Sequence, residues 1–186
     1  VLAWKMGFGL NTAAATGVAF KQAVAEAAAG DPDIAAFYKS NGYESIWTGR
    51  SRRERQRRVA LFKALTQSGN HGLPSARYDA TGLQAKMRAA KDPRTRGLVE
   101  VDLSRSFLQY ARDVQTGVLV PGRIDSAIVR QVPYRDRTSY LVSFTKSNPS
   151  GFFKALSPDT MEYTALMNEK LRLERLLAKG GWGPRV

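Results

Sequence analysis

Cysteine is absent from this chain and histidine occurs once, at position 71, and these two facts decide most of what its side chains can do chemically. A thiol nucleophile, a cysteine-based zinc site, an iron-sulfur cluster and a disulfide are all excluded within these residues, and a His-rich metal site goes with them. No cofactor and no metal are expected. His71, in His71-Gly72-Leu73-Pro74, is the single imidazole available as a base near neutral pH. No nucleophile or second ligand neighbours it in sequence, so the expected role is a loop histidine bonded to a backbone carbonyl. Glu44, in Tyr43-Glu44-Ser45-Ile46-Trp47, offers a carboxyl that general-acid catalysis would require in a desolvated cleft, whereas the local sequence reads as a loop.

Charge is the other chemical resource. Lys and Arg number 29 against 16 Asp and Glu, a formal +13, so the surface attracts polyanions: nucleic acid, anionic lipid or acidic cell-wall polymer. Arg50 to Arg58 holds six arginines with only Glu54 in opposition. Such a run binds phosphates in some proteins, but here it lies at a predicted helix start, where cations oppose the macrodipole, and no recognition-helix or aromatic stacking pattern accompanies it. A solvated basic face is the expectation. Arg112-Asp113 with Gln115 and Thr116 forms a polar end to the longest predicted helix, read as an internal ion-pair cluster that fixes the loop after it. Trp47 and Trp182 sit beside glycines, suited to stacking on sugar rings, to filling the core or to touching another domain. Trp47, Arg112, Asp113, Gln115 and Trp182 are therefore the candidate polymer or interdomain contacts, and no catalytic residue is assigned.

These groups need elements to hold them, and helix punctuation recurs along the chain. Asn11 or Thr12 caps a run that places Phe20 and Val24 on one face and stops at Gly30. Asp31-Pro32, a cap followed by proline at the first helical position, restarts a helix that buries Ile34, Phe37 and Tyr38 and ends at Asn41-Gly42. Ser51 to Glu54 reads as a capping box for a helix carrying Leu61, Phe62 and Leu65, closed by Gly69, and Asp79 caps one carrying Leu83 and Met87. Asp92-Pro93 opens the longest pattern, with Val99, Leu103, Phe107, Tyr110 and Val114 on a stripe that Val101, Leu108 and Ala111 widen. A helix apolar over so much of its circumference is packed on several sides, so residues 93 to 116 are the predicted central helix, stopped by Gly117.

Beyond it, residues 118 to 137 read as irregular with Ile124, Ile128 and Val132 pointing inward, and a short helix with Tyr140, Leu141 and Phe144 precedes Asn148-Pro149. Ser157-Pro158 begins a last helix with Tyr163, Leu166, Leu173 and Leu177 at helical spacing. Tyr43 to Thr48 is the one strand candidate, and it lacks a partner. With 43% hydrophobic and 24% charged residues, 186 residues suffice for a real core. The predicted fold is mostly α, a compact irregular bundle of about six to seven helices with little or no sheet. Residues 1–16 are expected to be a leader remnant, a cloning scar or a flexible N-terminus, 17–179 the helical body, and 180–186 a linker toward a further domain. The start at Val fits a piece of a longer chain. No stretch approaches the roughly 18 to 20 apolar residues that cross a bilayer, so no transmembrane segment is expected.

Several stretches together resemble the N-terminal scaffold domain of large bacterial murein L,D-transpeptidases, especially of alphaproteobacterial type. They are Phe37-Tyr-Lys-Ser-Asn-Gly-Tyr-Glu-Ser-Ile-Trp-Thr48, His71-Gly-Leu-Pro-Ser-Ala-Arg-Tyr-Asp79, Val99-Glu-Val-Asp-Leu-Ser-Arg-Ser-Phe-Leu-Gln-Tyr-Ala-Arg-Asp-Val-Gln-Thr-Gly117 and Gly180-Gly-Trp-Gly-Pro184, running in order over about residues 18 to 186. The resemblance implies a periplasmic, cell-wall setting. It also implies that peptidoglycan-binding and cysteine-dependent catalytic domains follow in the same parent chain, forming 3→3 cross-links between stem peptides. No catalytic residue carries over, because the nucleophile of that family is a cysteine. What carries over is a non-catalytic support for the downstream domains and for peptidoglycan. Two other classes stay open: a basic nucleic-acid-binding helical module driven by Arg50 to Arg58, although no specific nucleic acid is expected, and a lytic enzyme using Glu44. For the latter, Glu44-Ser45 followed by an apolar and an aromatic residue is similar to the acid motif of lysozyme-like transglycosylases, without the Gly-Leu-Met-Gln run of that family.

Overall fold

The structure is a computed structural model that describes residues 8–129, 132–181 and 183. Among the described residues the chain forms nine α-helices and no strand: α1 Phe8–Ala28, α2 Pro32–Ser40, α3 Arg52–Thr66, α4 Ala80–Ala89, α5 Pro93–Thr116, α6 Pro121–Ile124, α7 Arg137–Lys146, α8 Pro149–Leu156 and α9 Met161–Ala178. Two 3-10 turns, Ser68–His71 and Ser75–Tyr78, link α3 to α4. The mostly helical class stands, but the helix count exceeds the six or seven expected. One reason is α8. Asn148 accepts from the Gly151 amide at 3.0 Å and Pro149 fills the first helical position, so the pair opens a helix as well as ending α7. The same device starts α2, where Asp31 caps Ile34, and α5, where Asp92 caps Thr95. Pro121-Gly122, within the stretch read as irregular, forms the single-turn α6. The first helix begins before the expected Asn11 or Thr12 cap, and the last begins after Thr160 rather than at Ser157-Pro158.

α5 runs through the middle, flanked by α1 along much of its length and by α2, α4, α7 and α8. Its stripe fills the centre as expected: Val99, Val101, Leu103, Phe107, Leu108, Tyr110, Ala111 and Val114 are all buried. Rings gather around Phe107, which meets Phe144 at 4.7 Å and Phe152 at 5.7 Å between centroids. Because α7 supplies Tyr140, Leu141 and Phe144 to this core, the preceding segment is left outside it. Ile124 and Ile128 are accordingly exposed, contrary to the inward contacts expected of them, and Val132 is half-buried. α9 stands apart: no residue in it is buried, Leu166 and Leu177 are exposed, and its main contact is the turn Ser68–His71.

The packing of α1 on α5 depends on one missing side chain. A Cβ on Gly97 of α5 would lie 2.7 Å from the Phe20 carbonyl oxygen and 2.8 Å from the Ala23 Cβ of α1. Alanine normally stabilises a helix interior over glycine by about 1 kcal/mol, whereas overpacking against backbone costs about 1 to 3 kcal/mol. Gly97→Ala is therefore expected to lower the thermal midpoint. Gly17→Ala, where nothing lies within 4 Å of the added methyl, should hold or raise it. A higher midpoint for Gly97→Ala contradicts the α1–α5 packing.

Candidate functional site

The segment Tyr43 to Thr48 is not a strand. Tyr43 adopts a left-handed backbone, φ 57°, and the chain then folds inward over a carboxylate from α5. Glu100 is completely buried. Its Oε1 accepts from the amides of Ile46 at 2.6 Å and Trp47 at 3.0 Å and from the Tyr38 hydroxyl at 2.9 Å. Its Oε2 accepts from the Thr48 amide at 2.8 Å and the Thr48 hydroxyl at 2.7 Å. Amides that a strand would pair with a neighbour are thus paired with one side chain. Burial pushes the Glu100 carboxyl above the usual glutamate range, opposed by these five hydrogen bonds. One turn on, Ser104 Oγ bonds the Trp47 Nε1 at 2.9 Å and the Tyr38 hydroxyl at 2.8 Å. Trp47 is itself fully buried, stacked on Phe144 at 5.0 Å, and its expected role as a polymer or interdomain contact is corrected to core filling.

The arginine run holds this loop from the other side. Arg57 is buried and donates to the Thr145 carbonyl at 2.9 Å, where Arg53 also donates, while Arg58 donates to the carbonyls of Trp47 and Gly49. Burial holds both the Arg57 and the Arg58 guanidinium below the ordinary arginine value. The capping box of α3 adds Glu54, which accepts from the Ser51 amide and the Ser45 hydroxyl. Burial pushes the Glu54 carboxyl up, but hydrogen bonds from Ser45 and Ser51 and the Arg58 charge outweigh it and hold it below the usual value. Half of the six arginines are thus structural ties, a correction to the solvated face expected of the run.

Arg50 and Arg55, with the tied Arg58 beside them, line a cleft of about 420 Å³, with Lys91 and Arg96 completing the wall and Met87 offering an apolar side. No carboxylate lines it. Sequence reading missed the convergence of Lys91 and Arg96 on the run, since the three stretches meet only when α3 and α5 pack either side of α4.

A second cleft, about 490 Å³, lies between α3, α8 and α9 and is lined by His71, Tyr110, Phe153, Tyr163 and Met167 among others. His71 does not bond a backbone carbonyl as expected: its Nδ1 lies 2.6 Å from the Tyr163 hydroxyl, and the two rings stack at 6.3 Å. The contact fastens α9 to the body. Burial lowers the His71 pKa from 6.5. Because the folded value is the lower one, the unfolded chain takes up the proton first, so the stability tied to this group is complete above about 6.5 and falls as pH drops through the window below it. As the only histidine, His71 gives a single imidazole resonance by NMR, expected to titrate below 6.5 in the folded chain and to move upward in Tyr163→Ala, which exposes the ring. A midpoint at or above 6.5 in the folded chain contradicts the burial.

The polar end of α5 divides in two. Asp113 is buried and accepts from Arg77 Nε at 2.7 Å and the Tyr78 hydroxyl at 3.0 Å, anchoring the turn before α4. Burial and this bond push the Tyr78 phenol well up. Arg112 instead lies over the Tyr134 ring at 4.9 Å, and Gln115 accepts from the Tyr140 hydroxyl. These residues therefore tie α5 to elements on both sides, correcting the internal ion-pair cluster expected to fix the following loop. Glu44 is exposed and paired with Lys21 at 2.6 Å, so the desolvated cleft that acid catalysis needs is not built around it. Trp182 lies outside the described residues. Among the described residues no group of His, Asp and Glu converges in a way that could hold a metal ion, and no helix is long and apolar enough to cross a membrane.

A family model described as "Scaffold domain" matches residues 32–169, from the start of α2 to the middle of α9. No curated protein and no solved structure gives a significant match to the chain.

Proposed function

The chain belongs to the Scaffold domain family, and from that premise we propose that it is the non-catalytic support of a peptidoglycan L,D-transpeptidase in the periplasm. In this role it holds the peptidoglycan-binding and catalytic domains of the same parent chain, and with them peptidoglycan itself, in the arrangement that forms 3→3 cross-links. The observation that carries the reading is how the buried polar groups are used. Glu100, Arg57 and Asp113 are all committed to tying loops and helices together, as a rigid support requires and as a reacting site does not. The sequence supplies no thiol for the acyl-enzyme that such cross-linking passes through, so that group belongs to another part of the parent. The motif stretches that resemble the transpeptidase family supply the remaining support: Tyr43 to Thr48 and Val99 to Gly117 form the Glu100-centred unit.

The test is enzymatic. Purified chain given tetrapeptide-bearing muropeptides is expected to form no 3→3 dimer, while the parent's catalytic domain is expected to form it faster with this chain attached than without. Dimer made by the chain alone, or equal rates with and without it, overturns the proposal.

A further inference from the structure

We propose that the cationic cleft between α3, α4 and α5 is a binding site for a compact ligand carrying two or more carboxylate or phosphate groups. The proposal does not rest on the transpeptidase reading. It rests on how many cations gather in one concavity that no carboxylate lines. Some surface cations are paired with acids, such as Lys21 with Glu44, Lys86 with Asp102, Arg94 with Glu26, Arg137 with Asp31 and Asp33, and Arg172 with Glu169. Around this cleft, among the described residues, none of Arg50, Arg55, Arg58, Lys91 and Arg96 forms an ion pair with a carboxylate.

Five like charges drawn into one concavity repel one another, and the walls of a cleft focus their field onto whatever occupies it. The one acid on α3, Glu54, feels the Arg58 charge but spends its hydrogen bonds on Ser45 and Ser51 and forms no ion pair with the cleft, and Glu100 behind the Thr48 wall is taken by its own five donors. An anion is the group that this cluster lacks.

The site is also built rather than merely charged. Arg58 is half-buried and fixed by two carbonyls, of Trp47 and Gly49, so part of its ordering cost is met before any ligand arrives. The cations come from three separate stretches, the lead-in and first turns of α3, the α4–α5 link and the start of α5, all held by the packing of the core. Guanidinium forks match carboxylate and phosphate oxygens in pairs, which favours a ligand with several oxyanions over a single chloride-like ion. Met87 and Ala90 give the cleft an apolar wall for a carbon skeleton. A volume of about 420 Å³ is of the size that takes a small ligand or a peptide end and not a folded polymer.

Calorimetric titration of the whole chain with citrate and with inorganic pyrophosphate, at about 150 mM salt to screen long-range attraction, tests this directly. Saturable binding at one site by at least one probe is expected, and the tighter of the two identifies carboxylate or phosphate as the source. Arg55→Gln and Lys91→Gln, both at exposed positions, should each weaken binding by about tenfold, while Arg88→Gln, an equal charge change outside the cleft, should leave it within about twofold. Thermal midpoints matching the parent chain establish that the variants are folded, with Arg96→Gln as a further cleft variant. Three outcomes overturn the proposal: neither probe saturates, Arg88→Gln weakens binding as much as the cleft variants, or a short single-stranded oligonucleotide binds more tightly than both probes and citrate fails to displace it. A failure here leaves the cross-linking experiment above unaffected, and the converse holds as well.

Discussion

Glu100→Gln is expected to lower the unfolding free energy by about 3 to 5 kcal/mol, since it turns at least two buried donors toward a third and each buried donor left unmatched costs about 1 to 3 kcal/mol. The amide nitrogen must replace either Oε1, which faces the Ile46 and Trp47 amides and the Tyr38 hydroxyl, or Oε2, which faces the Thr48 amide and hydroxyl. No orientation of glutamine satisfies both sets. Glu100→Ala goes further, leaving three backbone amides without an acceptor and a void beside Trp47. Urea unfolding followed by circular dichroism reads the change, and amide exchange at Ile46, Trp47 and Thr48 should accelerate in Glu100→Gln before global unfolding does. A midpoint within experimental scatter of the parent chain contradicts the role assigned to this carboxylate.

The second large effect is expected at Trp47. Its side chain is fully buried against Phe107 and Phe144, so Trp47→Ala should cost about 3 to 5 kcal/mol through lost packing and the cavity left behind. Trp47→Phe keeps a ring in the cluster but loses the Nε1–H bond to Ser104, and a smaller loss of about 1 to 2 kcal/mol is expected. The order of the two variants is the informative result. Equal and negligible losses are what an exposed sugar-stacking tryptophan would give, and they would contradict the core position.

The helical class and the central helix were legible because they are written locally. Asp31-Pro32, Asp92-Pro93 and the Ser51–Glu54 box each cap the helix they precede, and the Val99-to-Val114 stripe is buried on α5 as its width implies. Asn148-Pro149 carries the same signal, and taking it only as the end of α7 is what hid α8. The polar network was not legible, because its partners are far apart in sequence. Glu100 takes its donors from a loop more than fifty residues away, and His71 meets a tyrosine 92 residues on. Glu100 and Ser104, one turn apart inside an apolar stripe, were the available hint: a charged residue on a face that the core must cover needs several donors.

Arg112-Asp113 misled for a geometric reason. Adjacent residues on a helix point about 100° apart, so neighbours in sequence seldom face each other, and Asp113 found Arg77 while Arg112 found Tyr134. The arginine run misled by composition. Counting charges predicts a solvated face, yet three of the six guanidinium groups have carbonyl partners that come from the loop and α7. α9 is helical as its spacing predicts, but spacing alone does not supply a surface to cover its leucines, and within this chain the helix stays largely exposed.

The proposed supporting role is tested most directly by one measurement: the content of 3→3 cross-linked muropeptides in cells whose parent gene lacks only the segment encoding residues 32–169, with the proposed catalytic module still produced at its normal level. If the chain is the support on which that module acts, the 3→3 fraction falls several-fold. An unchanged fraction contradicts the account.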